Sequence, residues 1–105
     1  MVTTTDDVLE ILDTTAGDTG TTYTLLSRSA ENAKGTYVNV EIGSGDTVVI
    51  EGKLVSGNTF VTIATFTTDD LLLVDLPKIF RARRTVDGGS EDTTVNIHTP
   101  ATIEY

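Results

Sequence analysis

The stretch FRARRTVDGGSED, residues 80–92, concentrates the side chains that could do chemistry. Three of the seven basic residues, Arg81, Arg83 and Arg84, stand within four positions, and Asp87, Glu91 and Asp92 follow at once. Guanidinium groups suit bidentate recognition of carboxylates and phosphates, and they are enriched at protein interfaces. Charge opposes a nucleic-acid partner. The chain has 16 Asp and Glu against 7 Lys and Arg, a net charge of −9, whereas phosphate contacts need clustered positive charge. The same balance argues against an anionic membrane surface. The carboxylates these arginines would meet belong to the same chain or to an identical neighbour.

No other group completes a catalytic or metal-binding set. His98 is the single histidine and there is no cysteine, so disulfides, thiolate nucleophiles and zinc-thiolate sites are excluded. His98 alternates out of phase with Val95 and Ile97, as a solvent-facing strand residue would. DGGSED gathers three carboxylates in six residues but lacks the spacing of a calcium loop, and reads as a solvated turn. Asp69-Asp70 also reads as a turn. GSGD, residues 43–46, lacks the lysine of a phosphate-binding loop. The aromatic residues are three Tyr and three Phe with no Trp, a thin supply for a sugar-stacking platform. These readings assign no catalytic, cofactor-binding or metal-binding residue. They imply a non-enzymatic chain that needs no cofactor.

The elements that hold these residues are strands. Thr supplies 21 of the 105 residues, with many Val and Ile beside it; β-branched side chains fit a pleated, half-buried surface. The runs are punctuated by GSGD, SGN and DGGSED. TYVNVEI alternates Val38, Val40 and Ile42 against Tyr37, Asn39 and Glu41. DTVVIEGKL places Val48 and Ile50, and extends to Leu54, on one face, with Val49, Glu51 and Lys53 on the other. NTFVTIATFT sets Val61 and Ile63 against Phe60, Ala64 and Phe66. These three runs, joined at 43–46 and 56–58, predict a meander over 36–66. The unbroken Leu71–Val74 run predicts a strand covered on both sides, ended by Pro77. KIFRARRTV turns Phe80 and Ala82 inward. Arg84 falls on that same apolar side, which calls for a bulge or an edge nearby. The 87–89 turn leads to TTVNIHT as an antiparallel partner, and ATIEY adds a last short strand. Val8–Leu12 fits a strand or an amphipathic turn. Ser29–Gly35 predicts one helical turn capped by Ser29.

Seven or eight short strands in one 105-residue domain predict an all-β fold, an antiparallel β-sandwich or jelly-roll-like barrel. Residues 1–20 can also be read as an extended N-terminal arm. MVTTTDDVLEILD lacks a basic segment before an apolar one, so no secretory signal is expected there.

Residues 35–97 carry a resemblance. Ile50-Glu51-Gly52, Ser56-Gly57-Asn58, the run FVTIATF at 60–66, Leu76-Pro77, Arg81-Ala82-Arg83, Gly88-Gly89 and the run TVNI at 94–97 occur in that order. This resembles small β-rich virion structural proteins of tailed bacteriophages, of the capsid decoration (cement) or head-fibre-base type. Phe60 stands where that pattern often has Trp, and Arg84 is additional. The resemblance implies a non-enzymatic structural protein that binds and stabilises the outer shell. It also implies assembly in the host cytoplasm, a homo-oligomer with trimers favoured, and the major capsid protein as partner. A tail, neck or head-fibre component, or a small carbohydrate-binding β-sandwich module, is the alternative. In that setting Arg81, Arg83 and Arg84 become candidate interface residues. So do Asp6, Asp7, Glu10 and Asp13, in an acidic stretch without a basic residue that could order on a basic shell.

Overall fold

In a computed structural model of the chain, the described residues are 3–4, 8–27, 35–89, 92–98 and 102–104. They form ten strands: β1 (Thr3–Thr4), β2 (Val8–Asp13), β3 (Tyr23–Ser27), β4 (Thr36–Glu41), β5 (Thr47–Lys53), β6 (Val61–Phe66), β7 (Asp70–Val74), β8 (Ile79–Val86), β9 (Thr94–His98) and β10 (Thr102–Glu104). One sheet has the order β2-β9-β4-β7, and the other β1-β10-β3-β8-β5-β6. All pairings are antiparallel. The fold is the expected all-β sandwich, with eight strands in two layers of four and the short β1 and β10 extending one layer.

The pairing follows one rule. β5 pairs with β6, β4 with β7, β3 with β8, β2 with β9 and β1 with β10. The chain is one long hairpin, with its apex at residues 54–60, wound over itself. The pairs alternate between the layers, and the winding brings β9 beside β4, β8 beside β5 and β10 beside β3. This is the jelly-roll order.

The core lies between the layers. Val38 and Val40 from β4, Val48 and Ile50 from β5, Phe80 and Ala82 from β8, and Val95 and Ile97 from β9 are buried, as alternation predicts. The Tyr23 and Phe80 rings stack with centroids 5.7 Å apart. On β2 the neighbours Ile11 and Leu12 are both buried, because the register against β9 shifts between Glu10 and Leu12. A similar irregularity faces Arg84: Val48 pairs with Arg84 but Thr47 pairs with Val86. The bulge expected near Arg84 is therefore present.

Five expectations need correction. Residues 36–66 are not a meander, because β4 and β5 belong to different sheets and the 43–46 turn carries the chain between layers. That turn closes with an Asp46 N–H to Gly43 carbonyl bond, and Gly45 has φ +81° at its third position, as a type II turn requires. β8 and β9 are likewise not partners, so 87–93 is a crossover rather than a hairpin loop. β7 is an open edge instead of a doubly covered strand, with Leu71 63% and Leu73 49% exposed. Leu54 lies past the end of β5 and is exposed. The turn predicted over Ser29–Gly35 lies, apart from Gly35, outside the described residues. Residues 8–13, within the stretch read as an arm, form a core-lining strand.

Among the described residues one buried side-chain polar atom, the Thr36 hydroxyl, makes no hydrogen bond. Burying a hydroxyl without a partner costs free energy that a methyl group of similar shape would not. Thr36→Val is expected to leave the fold intact and raise the urea midpoint, by up to about 1 kcal/mol in stability; a clear fall in the midpoint would contradict the assignment of that hydroxyl as unpaired.

Candidate functional site

Glu51 and its arginines form the first polar cluster. Glu51 projects from the side of β5 opposite Ile50, and its register partner on β8 is Arg81. Alternation puts Arg83 on the same side. Arg81 Nε donates to Glu51 Oε1 at 2.5 Å, while Arg83 donates from Nε to Oε1 at 3.1 Å and from Nη2 to Oε2 at 3.3 Å. The two guanidinium groups cover the carboxylate, whose side chain is only 4% exposed. Burial alone pushes the Glu51 carboxyl up. The hydrogen bonds and charges of Arg83 and Arg81 outweigh that and hold it below its ordinary value of 4.5. Reciprocally, the bond to Glu51 raises Arg83. Arg81 also lies over the Phe60 ring, 3.9 Å from its centroid, and Lys53 Nζ stands 4.3 Å from the same centroid. Lys53 donates to the Ser56 and Asn58 carbonyls, which ties down the hairpin apex.

Arg84 belongs to a different cluster. It points from β8 toward the core side and its side chain is 2% exposed. Nε donates to Asp18 Oδ1 at 2.9 Å, Nη1 to Asp46 Oδ2 at 3.2 Å and Nη2 to Asp87 Oδ2 at 3.3 Å. Asp46 has no exposed side-chain surface. It also accepts from the Thr93 hydroxyl at 2.6 Å and the Gly88 N–H at 2.6 Å. These two bonds, Thr93 first, hold its carboxyl below the ordinary range against the opposing effect of burial, with Arg84 adding to them. Gly88 permits the approach, because a Cβ there would collide with the Ser44 carbonyl oxygen. The Thr93 hydroxyl in turn accepts from Gly43 N–H at 2.7 Å, and Thr14 and Thr93 exchange bonds at 3.1–3.2 Å. The loops 14–22, 43–46 and 87–93 thus meet at one guanidinium.

The structure therefore joins Arg81 and Arg83 but sends Arg84 to the other side of the sheet. All three find carboxylates within their own chain. Glu10 is exposed on β2. Asp13 accepts from the Thr15 hydroxyl at 2.7 Å and Thr15 N–H at 3.0 Å, and these bonds lower its pKa. Asp6 and Asp7 lie outside the described residues. Asp87, read as a solvated turn residue, bonds Arg84 and accepts from Gly89 N–H. The sequence pattern does not single out Glu51, Phe60, Lys53, Asp46 or Asp18. A usable signal exists for Glu51 alone: it is the one acid inside the apolar run VVIEG.

The two layers differ in charge. The strands β2, β9, β4 and β7 contain no Lys or Arg and carry Glu10, Asp13, Glu41 and Asp70. On the outside of that layer, Val8, Tyr37, Asn39, Leu71, Asn96, Ile97 and His98 line a shallow, mainly apolar groove of about 190 Å³. Among the described residues no group of three or more His, Asp or Glu is placed to hold a metal ion. No family model, curated protein or solved structure matches the chain.

The Glu51 cluster sets a pH dependence. A carboxyl whose folded pKa is depressed contributes stability above its unfolded value and loses it as pH falls. Glu51→Gln should cost about 2 kcal/mol at pH 7, less than the 3–5 of a fully buried pair, because Arg83 is partly open to screening water. The gap from wild type should close below the ordinary Glu51 value of 4.5. Urea melts from pH 7 to pH 3 check this; a gap independent of pH would contradict it.

Proposed function

We propose that this chain is a non-enzymatic virion structural protein. Its role is to decorate or cement the outer shell of a tailed bacteriophage capsid, with the major capsid protein and further copies of itself as partners. The observation that carries the reading is the open β7 edge, where Leu71, Leu72 and Leu73 are all exposed. Edge strands of self-contained sandwiches are guarded by charge, Pro or bulges. Three successive exposed leucines suit an edge that another surface covers. The motif resemblance in residues 35–97 and the acidic charge, awkward beside packaged DNA and harmless on an outer surface, support the same reading.

A second reading rests on the groove of the acidic layer. Tyr37 is 53% exposed beside the register pair Asn39–Asn96 and His98. A ring flanked by amide groups can stack on and hydrogen-bond to a sugar, the chemistry of a carbohydrate-binding module.

Co-sedimentation decides between them. The protein is mixed with shells of the capsid protein encoded near it in the same genome. The decoration reading predicts saturable pelleting at a fixed number of copies per shell, unaffected by free sugars. Protein that stays in the supernatant while binding a purified glycan saturably would replace it with the second reading.

A further inference from the structure

The outer face of the β5–β8 pair holds arginine donors that the chain itself does not use. The register sets Lys53, Glu51 and Val49 beside Ile79, Arg81 and Arg83, all on the side away from the core. Glu51 takes only Nε of Arg81, and Nε and Nη2 of Arg83. Among the described residues no acceptor meets either Nη of Arg81 or Nη1 of Arg83. Both guanidinium groups reach solvent, with side chains 27% and 39% exposed. They are also held in place. Glu51 fixes one edge of each, and Arg81 and Lys53 Nζ both rest on the Phe60 ring. Thr62, the register partner of Glu51 on β6, adds an exposed hydroxyl to the same face.

Fixed guanidinium ends beside a hydroxyl are the donor set of an oxyanion site. Charge selects the oxyanion. Lys53, Arg81 and Arg83 against Glu51 leave a surplus of two positive charges, on a chain of net charge −9. A carboxylate would neutralise half of that surplus, and a phosphate dianion all of it. Strand residues two apart stand about 7 Å from each other. One tetrahedral anion bridges such a gap with hydrogen bonds of about 2.9 Å to each side. We propose that this face binds a single phosphate group, as the free dianion or at the end of a monoester. The group lies between Arg81 and Arg83, with Lys53 supplying the remaining charge. The net charge of the chain opposes a long polyanion such as nucleic acid, but not one phosphate at a local excess of positive charge. The site goes beyond the decoration reading and needs no shell.

The test is an NMR titration of the isotope-labelled chain. Sodium phosphate is added at about pH 7.5, where the group is close to doubly charged, against sodium chloride at equal ionic strength. The Nε–H signals of Arg81 and Arg83 should shift and saturate with a Kd of about 1 mM. Arg84, which donates to Asp18, Asp46 and Asp87, should not respond. Methyl phosphate is the monoester arm. Saturation by both probes supports a terminal phosphoryl group, and saturation by inorganic phosphate alone supports the free ion. Arg81→Lys keeps a charge beside Glu51 but loses the fork, so binding should weaken about tenfold, with circular dichroism showing that the variant is folded. Lys78 is exposed just before β8 and outside the cluster, and Lys78→Gln should bind phosphate as the wild type does. Shifts that rise linearly without saturating, or acetate acting as strongly as phosphate, would overturn the proposal on the wild-type chain alone. Undiminished binding by folded Arg81→Lys would also overturn it.

Discussion

One buried ion cluster fixes the end of the sandwich. Arg84 sits on the core side of β8, where the neighbouring inward residues are Phe80 and Ala82. An unpaired guanidinium there would be very costly. Asp46, Asp18 and Asp87 come to it from three different loops, and Thr93 and Gly88 satisfy what remains of Asp46. The wound hairpin depends on this. All three of those loops, 14–22, 43–46 and 87–93, carry the chain from one layer to the other, and such crossovers lack the ladder bonds that fix an ordinary hairpin turn. Polar bonds to a common centre take the place of the ladder. Arg84 reaches the core side by plain alternation with Phe80 and Ala82, and the register shifts only beyond it, between Thr47 and Val48.

Those two arginines show the other use of the same residue type. On the outer side of the sheet both pair with Glu51 and stay partly exposed, and Arg81 also lies over Phe60. Their contribution is modest and responds to pH and salt, whereas the inner one is structural. A four-residue stretch thus serves two faces because strand side chains alternate. The result is a molecule with a basic outer surface around the β5–β6 apex and an acidic, leucine-bearing edge on the opposite layer.

Much of this was legible in the residues and some was not. Alternation placed Val38, Val40, Val48, Ile50, Phe80, Ala82, Val95 and Ile97 inward, because local sterics and burial decide the phase of a strand. It also marked Arg84 as out of place. Layer membership was not legible. GSGD looks like a hairpin turn, and nothing local distinguishes a turn within one sheet from a step between two. The apolar run at β7 misled for a related reason: three successive leucines read the same at an exposed edge as in a strand buried in the middle of a sheet. The partners of the arginines were hidden by sequence distance, since Glu51 lies 30 residues before Arg81 and Asp18 lies 66 before Arg84.

Native-state hydrogen exchange of the amides at the ion cluster tests the central role of Arg84 most directly. If the cluster holds the crossovers as firmly as the sheets, the N–H groups of Gly88, Gly43 and Arg84, bonded to Asp46, Thr93 and Asp18, exchange only through global unfolding. Their free energies of opening then equal that of the buried core residue Val95. Exchange of these amides near the unprotected rate, while Val95 stays protected, would contradict the account and leave Arg84 as one paired charge among others.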